Sequence, residues 1–133
     1  MKHILICGII GTAILCGCHE SLEKRAEREA REYTEKYCPT PVQNCTRTDS
    51  VAFDIATKTY RYYCSATDEL DNGKVFDANR QKITDALLAS VKENTGFREY
   101  KKEGFAFRWI IRSDKDKNTV YYDHRFTAKD YRK

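Results

Sequence analysis

The stretch that decides the fold is FAFRWIIR, at residues 105–112 in the last third of the chain. Its large apolar side chains occupy every second position: Phe105, Phe107, Trp109 and Ile111. This period of two is typical of a β-strand that presses one face against a core. A polar turn at residues 113–118 and a second alternating stretch at residues 120–126 complete a predicted β-hairpin.

The same alternation predicts another hairpin earlier in the chain, over residues 51–55 and 60–64. A helix rich in Glu, Lys, Arg and Ala is predicted before it, over residues 20–37. A second helix is predicted between the two hairpins, running from a cap at Asp77 to about Glu93. The order helix, hairpin, helix, hairpin predicts an α+β fold, most simply an antiparallel four-stranded sheet with the helices packed on it.

Length and composition limit the classes of function. The chain has 133 residues, enough for a single domain and too few for a multidomain enzyme. Its 41% hydrophobic and 33% charged residues are those of a folded protein rather than a disordered tail. The formal net charge of +4 is mild, so we expect no nucleic-acid partner.

The N-terminal segment predicts export. Lys2 and His3 precede an apolar run that is too short to remain as a membrane-spanning helix. That run closes on LCGC, residues 15–18, which resembles the bacterial lipobox. We therefore expect residues 1–17 to be a lipoprotein signal peptide and residues 18–133 to be one α+β domain. Lipidation at Cys16, or cleavage without a lipid, is the alternative to lipidation at Cys18.

The lipobox resemblance implies a cellular location. Cys18 would carry acyl chains, palmitate among them, and several chains hold a protein on its membrane far more firmly than one. The residue after Cys18 is His19 rather than the Asp that marks inner-membrane retention, which favours the outer membrane. The predicted partner is thus a membrane, reached through a lipid anchor, in the oxidising environment of the periplasm or cell surface.

Three further cysteines lie in the predicted domain. Cys38 and Cys45 bracket a loop with two prolines that could bring their side chains within disulfide distance. We favour a Cys38–Cys45 disulfide and expect Cys64 to be a buried thiol in a strand. Because spacing does not fix connectivity, a bond from Cys64 to either of the others stays open.

The candidate chemistry is sparse. Residues 68–73 and 114–118 are rich in Asp and Asn, but both lack the closing Glu of a calcium loop, so we predict ordinary turns. His124 lies on an apolar strand face, where a core or edge histidine is more common than a general base. We therefore predict no catalytic residue, no metal and no cofactor.

The C-terminal hairpin is the predicted binding surface. From Phe97 onward the chain carries 11 Lys and Arg against 6 Asp and Glu. Strand alternation places four large side chains opposite the apolar set: Arg108, Arg112, Tyr121 and Arg125. Tyr and Arg are common at recognition surfaces, although they also cover solvated sheets.

Five short motifs are spread along the predicted domain: CP at residues 38–39, TDSV at 48–51, YRYY at 60–63, FAFR at 105–108 and FTAKDY at 126–131. With the lipobox, they resemble the small uncharacterised lipoproteins of gut Gram-negative bacteria. The resemblance implies an envelope location and no activity. We expect a non-enzymatic, membrane-anchored module that binds an envelope protein or a glycan. The alternative is an inhibitor or immunity protein that acts on an enzyme or toxin at the envelope, and an enzyme that uses His124 is a weaker third.

Overall fold

A computed structural model describes residues 20–133, and the first helix in that range, α1, spans Leu22–Tyr37. The Ser21 hydroxyl caps it by accepting a hydrogen bond from the Lys24 backbone N–H at 3.1 Å. The helix ends before Pro39, as the sequence predicts. The predicted signal peptide and the lipidation site at Cys18 lie outside the described residues.

In the described part of the chain, four strands form one sheet in the order β1-β2-β3-β4. Their bounds are β1 Thr46–Asp54, β2 Thr59–Ala66, β3 Ala106–Ser113 and β4 Val120–Phe126. The two hairpins and the α+β class, with helices packed on a four-stranded sheet, are confirmed. The prediction that every pair is antiparallel is wrong, because β2 and β3 run parallel from Thr59↔Ala106 to Ala66↔Ser113.

The connection between the hairpins explains the parallel pair. It contains α2, Gly73–Glu93, and the short α3, Arg98–Lys102, each preceded by a 3-10 turn, at Asp68–Leu70 and Thr95–Phe97 respectively. The 21 residues of α2 extend about 32 Å at 1.5 Å per residue, as far as a strand of the sheet. The chain therefore returns to the end at which β2 began, and β3 must run in the same direction.

Helix α2 begins four residues before the predicted cap at Asp77. The side-chain oxygen of Asn72 accepts hydrogen bonds from the backbone N–H groups of Lys74, at 2.9 Å, and Val75, at 3.3 Å. Asn is among the best residues for this position, so the Asn72-Gly73 pair, which we predicted as a turn, starts the helix.

The helices pack on one face of the sheet, where the core lies. From α1, the backbone carbonyl of Ala26 accepts a hydrogen bond from the Tyr60 hydroxyl at 3.1 Å. From α2, the Thr84 hydroxyl lies 2.8 Å from the Tyr122 hydroxyl. The last helix, α4, Ala128–Tyr131, contributes Tyr131, whose hydroxyl donates to the Phe105 carbonyl at 2.7 Å. Within residues 20–133, no helix combines the length and the apolar character that crossing a membrane requires.

Candidate functional site

The face of the sheet opposite the helices carries three of the four predicted binding residues. Arg108 and Arg125 are paired across β3 and β4, beside Arg61 of β2. Arg108 donates from Nε and Nη2 to the two carboxylate oxygens of Asp123, at 2.7 Å each. Arg125 donates to the Thr59 hydroxyl at 3.2 Å. These guanidinium groups are therefore occupied by neighbours in the sheet itself.

Arg112 and Arg61 differ from Arg108 and Arg125 of this face. Arg112 lies two same-face positions beyond Arg108 on β3, and Arg61 pairs with Arg108 from β2. The buried Nε of each of these two arginines has no hydrogen-bond partner among the described residues. A buried N–H without a partner is unfavourable, so Arg61 and Arg112 are the places on the open face where an added acceptor would gain most. The predicted role of the face in recognition stays a prediction.

The predicted outward position of Tyr121 is wrong. A β-bulge between Ile111 and Arg112 shifts the pairing with β4, so that Arg112 faces Val120 and Tyr121 has no strand partner. Its ring stacks on Phe76 at a centroid distance of 5.4 Å. Its hydroxyl donates to Asp71 at 2.9 Å. Tyr121 therefore packs toward the start of α2 and does not join the arginines.

A second candidate surface lies on the helix side of the sheet. A cleft of about 410 Å³ opens between α1 and the segment that follows α2. Five aromatic residues line it: Tyr33, Tyr60, Tyr62, Phe97 and Tyr100. We call this the aromatic cleft. Glu29, Ala30, Val51, Asn94 and Gly96 complete its walls.

Four separate elements place these rings. Helix α1 supplies Tyr33 and strand β2 supplies the floor. The opposite wall comes from Phe97 in the turn after α2 and from Tyr100 in α3. The Tyr60 ring lies at the centre, with centroids 5.3 Å from Phe97 and 5.7 Å from Tyr100. Such distances are those of favourable aromatic pairs, so the walls are held by the same contacts that build the core.

The hydroxyl groups of Tyr60, Tyr62 and Tyr100 remain protonated at neutral pH. Burial raises the pKa of Tyr60 and of Tyr62. Burial and a hydrogen bond to Glu29 raise the pKa of Tyr100, and Arg25 donates to the Tyr100 hydroxyl at 3.3 Å. The cleft therefore offers an uncharged aromatic floor with one carboxylate at its rim, a surface suited to apolar side chains rather than to proton transfer.

The mouth of the aromatic cleft is exposed. Tyr33 and Tyr37 are 43% and 60% exposed, and their rings contact each other at 5.1 Å. Both residues continue the helical spacing of Ala26 and Ala30, which are buried on α1. The signal that could have identified the site is the use of Tyr, a ring with a polar tip, at positions where a buried stripe would take Leu.

The described cysteines are free thiols in the structure. Cys45 points toward Glu69, with Sγ 3.8 Å from a carboxylate oxygen, so the Cys38–Cys45 bond is not formed here and its pairing stays a prediction. Cys64 is buried, as predicted, and lies 3.8 Å from the Thr48 hydroxyl. Burial raises its pKa to about 11, so it is a protonated thiol at neutral pH.

His124 is an exposed edge residue whose ring contacts Phe126 at 4.4 Å. Between Glu20 and Lys133 no cluster of three His, Cys, Asp or Glu side chains could hold a metal ion. The acidic stretch after Ser113 forms a turn, in which Asp116 accepts from the Thr119 hydroxyl at 2.7 Å.

Solved structures of similar fold come from bacteria. A Pseudomonas aeruginosa protein predicted to be secreted aligns with a TM-score of 0.69 at 19% identity, over 85% of this chain and 99% of its own. The pilotin EpsS of the Vibrio vulnificus type 2 secretion system aligns with a TM-score of 0.62 at 15% identity, over 83% of this chain and 91% of its own. The Vibrio cholerae type II secretion system pilotin AspS aligns with a TM-score of 0.58 at 15% identity, over 82% of this chain and 91% of its own.

At these identities the likeness concerns the fold alone. None of the curated proteins matches the sequence. A family model does match it, over residues 21–122, from the cap of α1 into β4. The match covers most of the chain, and the chain therefore belongs to the DUF8479 family, described as a domain of unknown function.

Proposed function

We propose that this chain is a non-enzymatic envelope lipoprotein that holds a segment of another envelope protein in its aromatic cleft. The observation that carries the proposal is the exposed Tyr33 at the mouth of a cleft whose floor is aromatic, with the exposed ring of Tyr37 in contact with it. Exposed aromatic side chains beside a preformed apolar pocket are typical of binding sites.

The chemistry of the cleft indicates the kind of segment. A volume of about 410 Å³ accommodates a few side chains and no folded domain. The floor is apolar, whereas Glu29 and Asn94 on opposite walls are polar. An amphipathic helix would present apolar side chains to the rings and polar ones to both rims, which is a common mode of peptide recognition. A glycan would instead need several hydrogen-bonding groups on the floor.

The fold comparisons support a binding role. Two proteins of similar fold are pilotins of type II secretion systems, and each aligns over 91% of its length. By this likeness we propose that the partner belongs to an envelope secretion machine. The predicted alternative is an inhibitor or immunity protein, and no contact among the described residues favours that role over the binding of a secretion-machine partner.

The proposal includes a lipid anchor at Cys18 and an outer-membrane location. Cys18 is four residues before α1 begins at Leu22, so the domain would sit close to the membrane. The substitution Cys18→Ser should abolish incorporation of labelled palmitate and leave the precursor unprocessed. Labelling that persists in Cys18→Ser, or that requires Cys16, would contradict the assigned anchor.

Site-specific photocrosslinking tests the aromatic cleft. A photoreactive phenylalanine analogue at Tyr33 or Tyr37, in the full-length protein in its own envelope, should crosslink one protein. Mass spectrometry of the crosslinked peptide should identify a segment with apolar residues at helical spacing. The same analogue at Tyr63, on the opposite face of the sheet, is the matched control and should not capture that segment.

Substitutions at the mouth separate binding from folding. Tyr33→Ala and Tyr37→Ala remove exposed rings, so their effect on the free energy of unfolding should stay near 0.5 kcal/mol. A synthetic peptide of the captured segment should bind these variants at least about tenfold more weakly, a loss of about 1.4 kcal/mol in affinity. Crosslinking from Tyr63 alone would overturn the proposal and favour the arginine face.

A further inference from the structure

A cationic cleft of about 520 Å³ lies at one end of the domain, beside α3. Five of its seven lining residues are cations: Lys92, Arg98, Lys101, Lys102 and Arg132. The other two, Thr95 and Tyr131, are uncharged. We call this group of five the basic pole, and we propose that it binds the phosphate groups of an anionic lipid surface.

Two cations of the basic pole are held by the ends of helices. Lys101 donates from Nζ to the carbonyls of Val91 and Lys92, at 2.8 and 2.9 Å, where α2 ends. Arg132 donates to the carbonyls of Lys101 and Lys102, at 2.9 and 2.8 Å, where α3 ends. Cations at helix C-termini are favourable in themselves, so these two positions have a structural explanation.

The other three cations have no such explanation. Within residues 20–133, the side chains of Lys92, Arg98 and Lys102 make no ion pair and donate no hydrogen bond. They lie around one cleft whose lining includes no carboxylate. Like charges placed together repel, so an arrangement of this kind is favourable when an anion is shared among them.

The basic pole lies beside the start of α1. Arg25, in the first turn, donates to Glu99 at 2.8 Å and to the Tyr100 hydroxyl at 3.3 Å. Glu99 and Tyr100 belong to α3, between Arg98 and Lys101. Contacts between α1 and α3 thus keep the beginning of the domain and the basic pole at the same end.

This position identifies the anion. The inference rests on the proposed lipid anchor at Cys18, four residues before α1. Four extended residues span at most about 14 Å, so the acyl chains would hold the start of α1 within roughly two Debye lengths of the lipid headgroups, with α3 beside it. Phosphate groups of anionic lipids are the charges available at that distance, and basic clusters next to an anchor bind them. Arg98 can donate two parallel hydrogen bonds to one phosphate.

Contact between the basic pole and the membrane would orient the domain, whereas the acyl chains anchor it. Acyl chains alone retain the protein but leave the domain free to rotate about its linker. Contact at the basic pole would fix the α3 end on the membrane. Because Tyr100 of the aromatic cleft belongs to the same helix, the cleft would then open close to the lipid surface, where a membrane-bound partner would meet it.

Lysine acetylation of the full-length lipidated protein tests this inference. The protein is reconstituted in vesicles of phosphatidylcholine, alone or mixed with phosphatidylglycerol. Lys92 and Lys102 should be acetylated several-fold more slowly in the anionic vesicles, and high salt should remove that protection. Lys115 is the internal control, because it follows β3 and lies about 26 Å along the strand from α3.

Charge-reversed variants provide the matched comparison. Arg98→Glu with Lys102→Glu should abolish the protection of Lys92 in anionic vesicles. Lys115→Glu with Lys117→Glu changes the net charge equally at the far turn and should preserve it. Circular dichroism checks that each variant is folded. The neutral variant Arg98→Gln with Lys102→Gln removes both positive charges without adding negative ones, so it should lose part of the Lys92 protection without repelling the lipid phosphates.

Several outcomes would overturn the inference. Equal acetylation of Lys92 and Lys102 in neutral and anionic vesicles would show that no lipid phosphate binds there. Protection by inorganic phosphate in neutral vesicles would indicate a soluble anion, and protection seen only in native envelopes would indicate an acidic protein. Intact mass reports the lipid on Cys18 separately, so loss of the anchor is distinguished from failure of the basic pole.

Discussion

Tyr62 and Trp109 stack face to face, with ring centroids 4.4 Å apart and planes 8° from parallel. They are paired positions on β2 and β3, the parallel strands at the centre of the sheet. Strand β2 ends the first hairpin and β3 begins the second. The stack therefore joins the two halves of the fold, and Phe126 packs edge-on against Trp109 at 5.9 Å.

We expect truncation of this pair to weaken the whole domain. Trp109 is 9% exposed, so Trp109→Ala should lower the free energy of unfolding by about 3–5 kcal/mol. Urea denaturation of Trp109→Ala, Tyr62→Ala and the double variant gives the coupling energy, expected at about 0.5–1.5 kcal/mol. Strictly additive losses would mean that the stacking itself contributes nothing.

Stability should fall at alkaline pH because of the buried thiol. The pKa of Cys64 rises from 9.0 to about 11 on folding, mainly through burial. Between these values the unfolded thiol has lost its proton and the folded thiol keeps it, so the unfolded state binds fewer protons and the free energy of unfolding decreases as pH rises. The loss is at most roughly 2–3 kcal/mol. Burial raises the pKa of Cys38, Tyr60 and Tyr62 in the same direction.

Urea denaturation at a series of pH values, in the presence of a reductant, measures this slope. The variant Cys64→Ala should show a shallower decline between pH 9 and pH 10, and the decline that remains comes from the other buried groups, Tyr60 and Tyr62 among them. Cys45→Ala, in the half-buried loop, is the control and should keep the slope of the native protein. Equal slopes in all three proteins would exclude Cys64 as the source of the stability loss at alkaline pH.

The Cys38–Cys45 bond can be tested on protein taken from the envelope. If the oxidising compartment closes this loop, non-reducing peptide mapping will recover the two cysteines in one crosslinked species, and Cys64 will be alkylated only after denaturation. Closing so short a loop should raise the free energy of unfolding by roughly 2–3 kcal/mol relative to the reduced protein. A crosslinked peptide that contains Cys64 would refute this pairing.

On the open face, the Arg108–Asp123 pair should behave as a surface ion pair. The Arg108 hydrogen bonds lower the pKa of Asp123, so the contribution of the pair is present above the unfolded pKa of Asp123 and is lost as pH falls. The two side chains are 33% and 43% exposed, which limits that contribution to about 1 kcal/mol. Arg108→Glu should lose it, and the swap Arg108→Glu with Asp123→Arg should recover part of it. If the single and the double variant both keep the free energy of unfolding of the native protein, the pair contributes nothing to stability.

Local patterns in the sequence determined the elements. The apolar period of two at Phe105–Ile111 and the helical spacing before Pro39 place strands and helices where the structure has them, because alternation and capping act over a few neighbouring residues. The same patterns placed Arg108 and Arg125 on one face. They failed for Tyr121, since the bulge that turns it depends on how β4 pairs with β3.

The tertiary structure decided the direction of the central strands and the location of both candidate sites. Whether β3 runs parallel or antiparallel to β2 depends on how far α2 carries the chain back, a property of the helix and its packing rather than of either strand. The aromatic cleft joins Tyr33, Tyr60 and Phe97 from three elements, and the basic pole joins Lys92 to Arg132. Contacts between residues so distant in the chain form only when burial of the shared core brings them together, because no local pattern records which faces will meet.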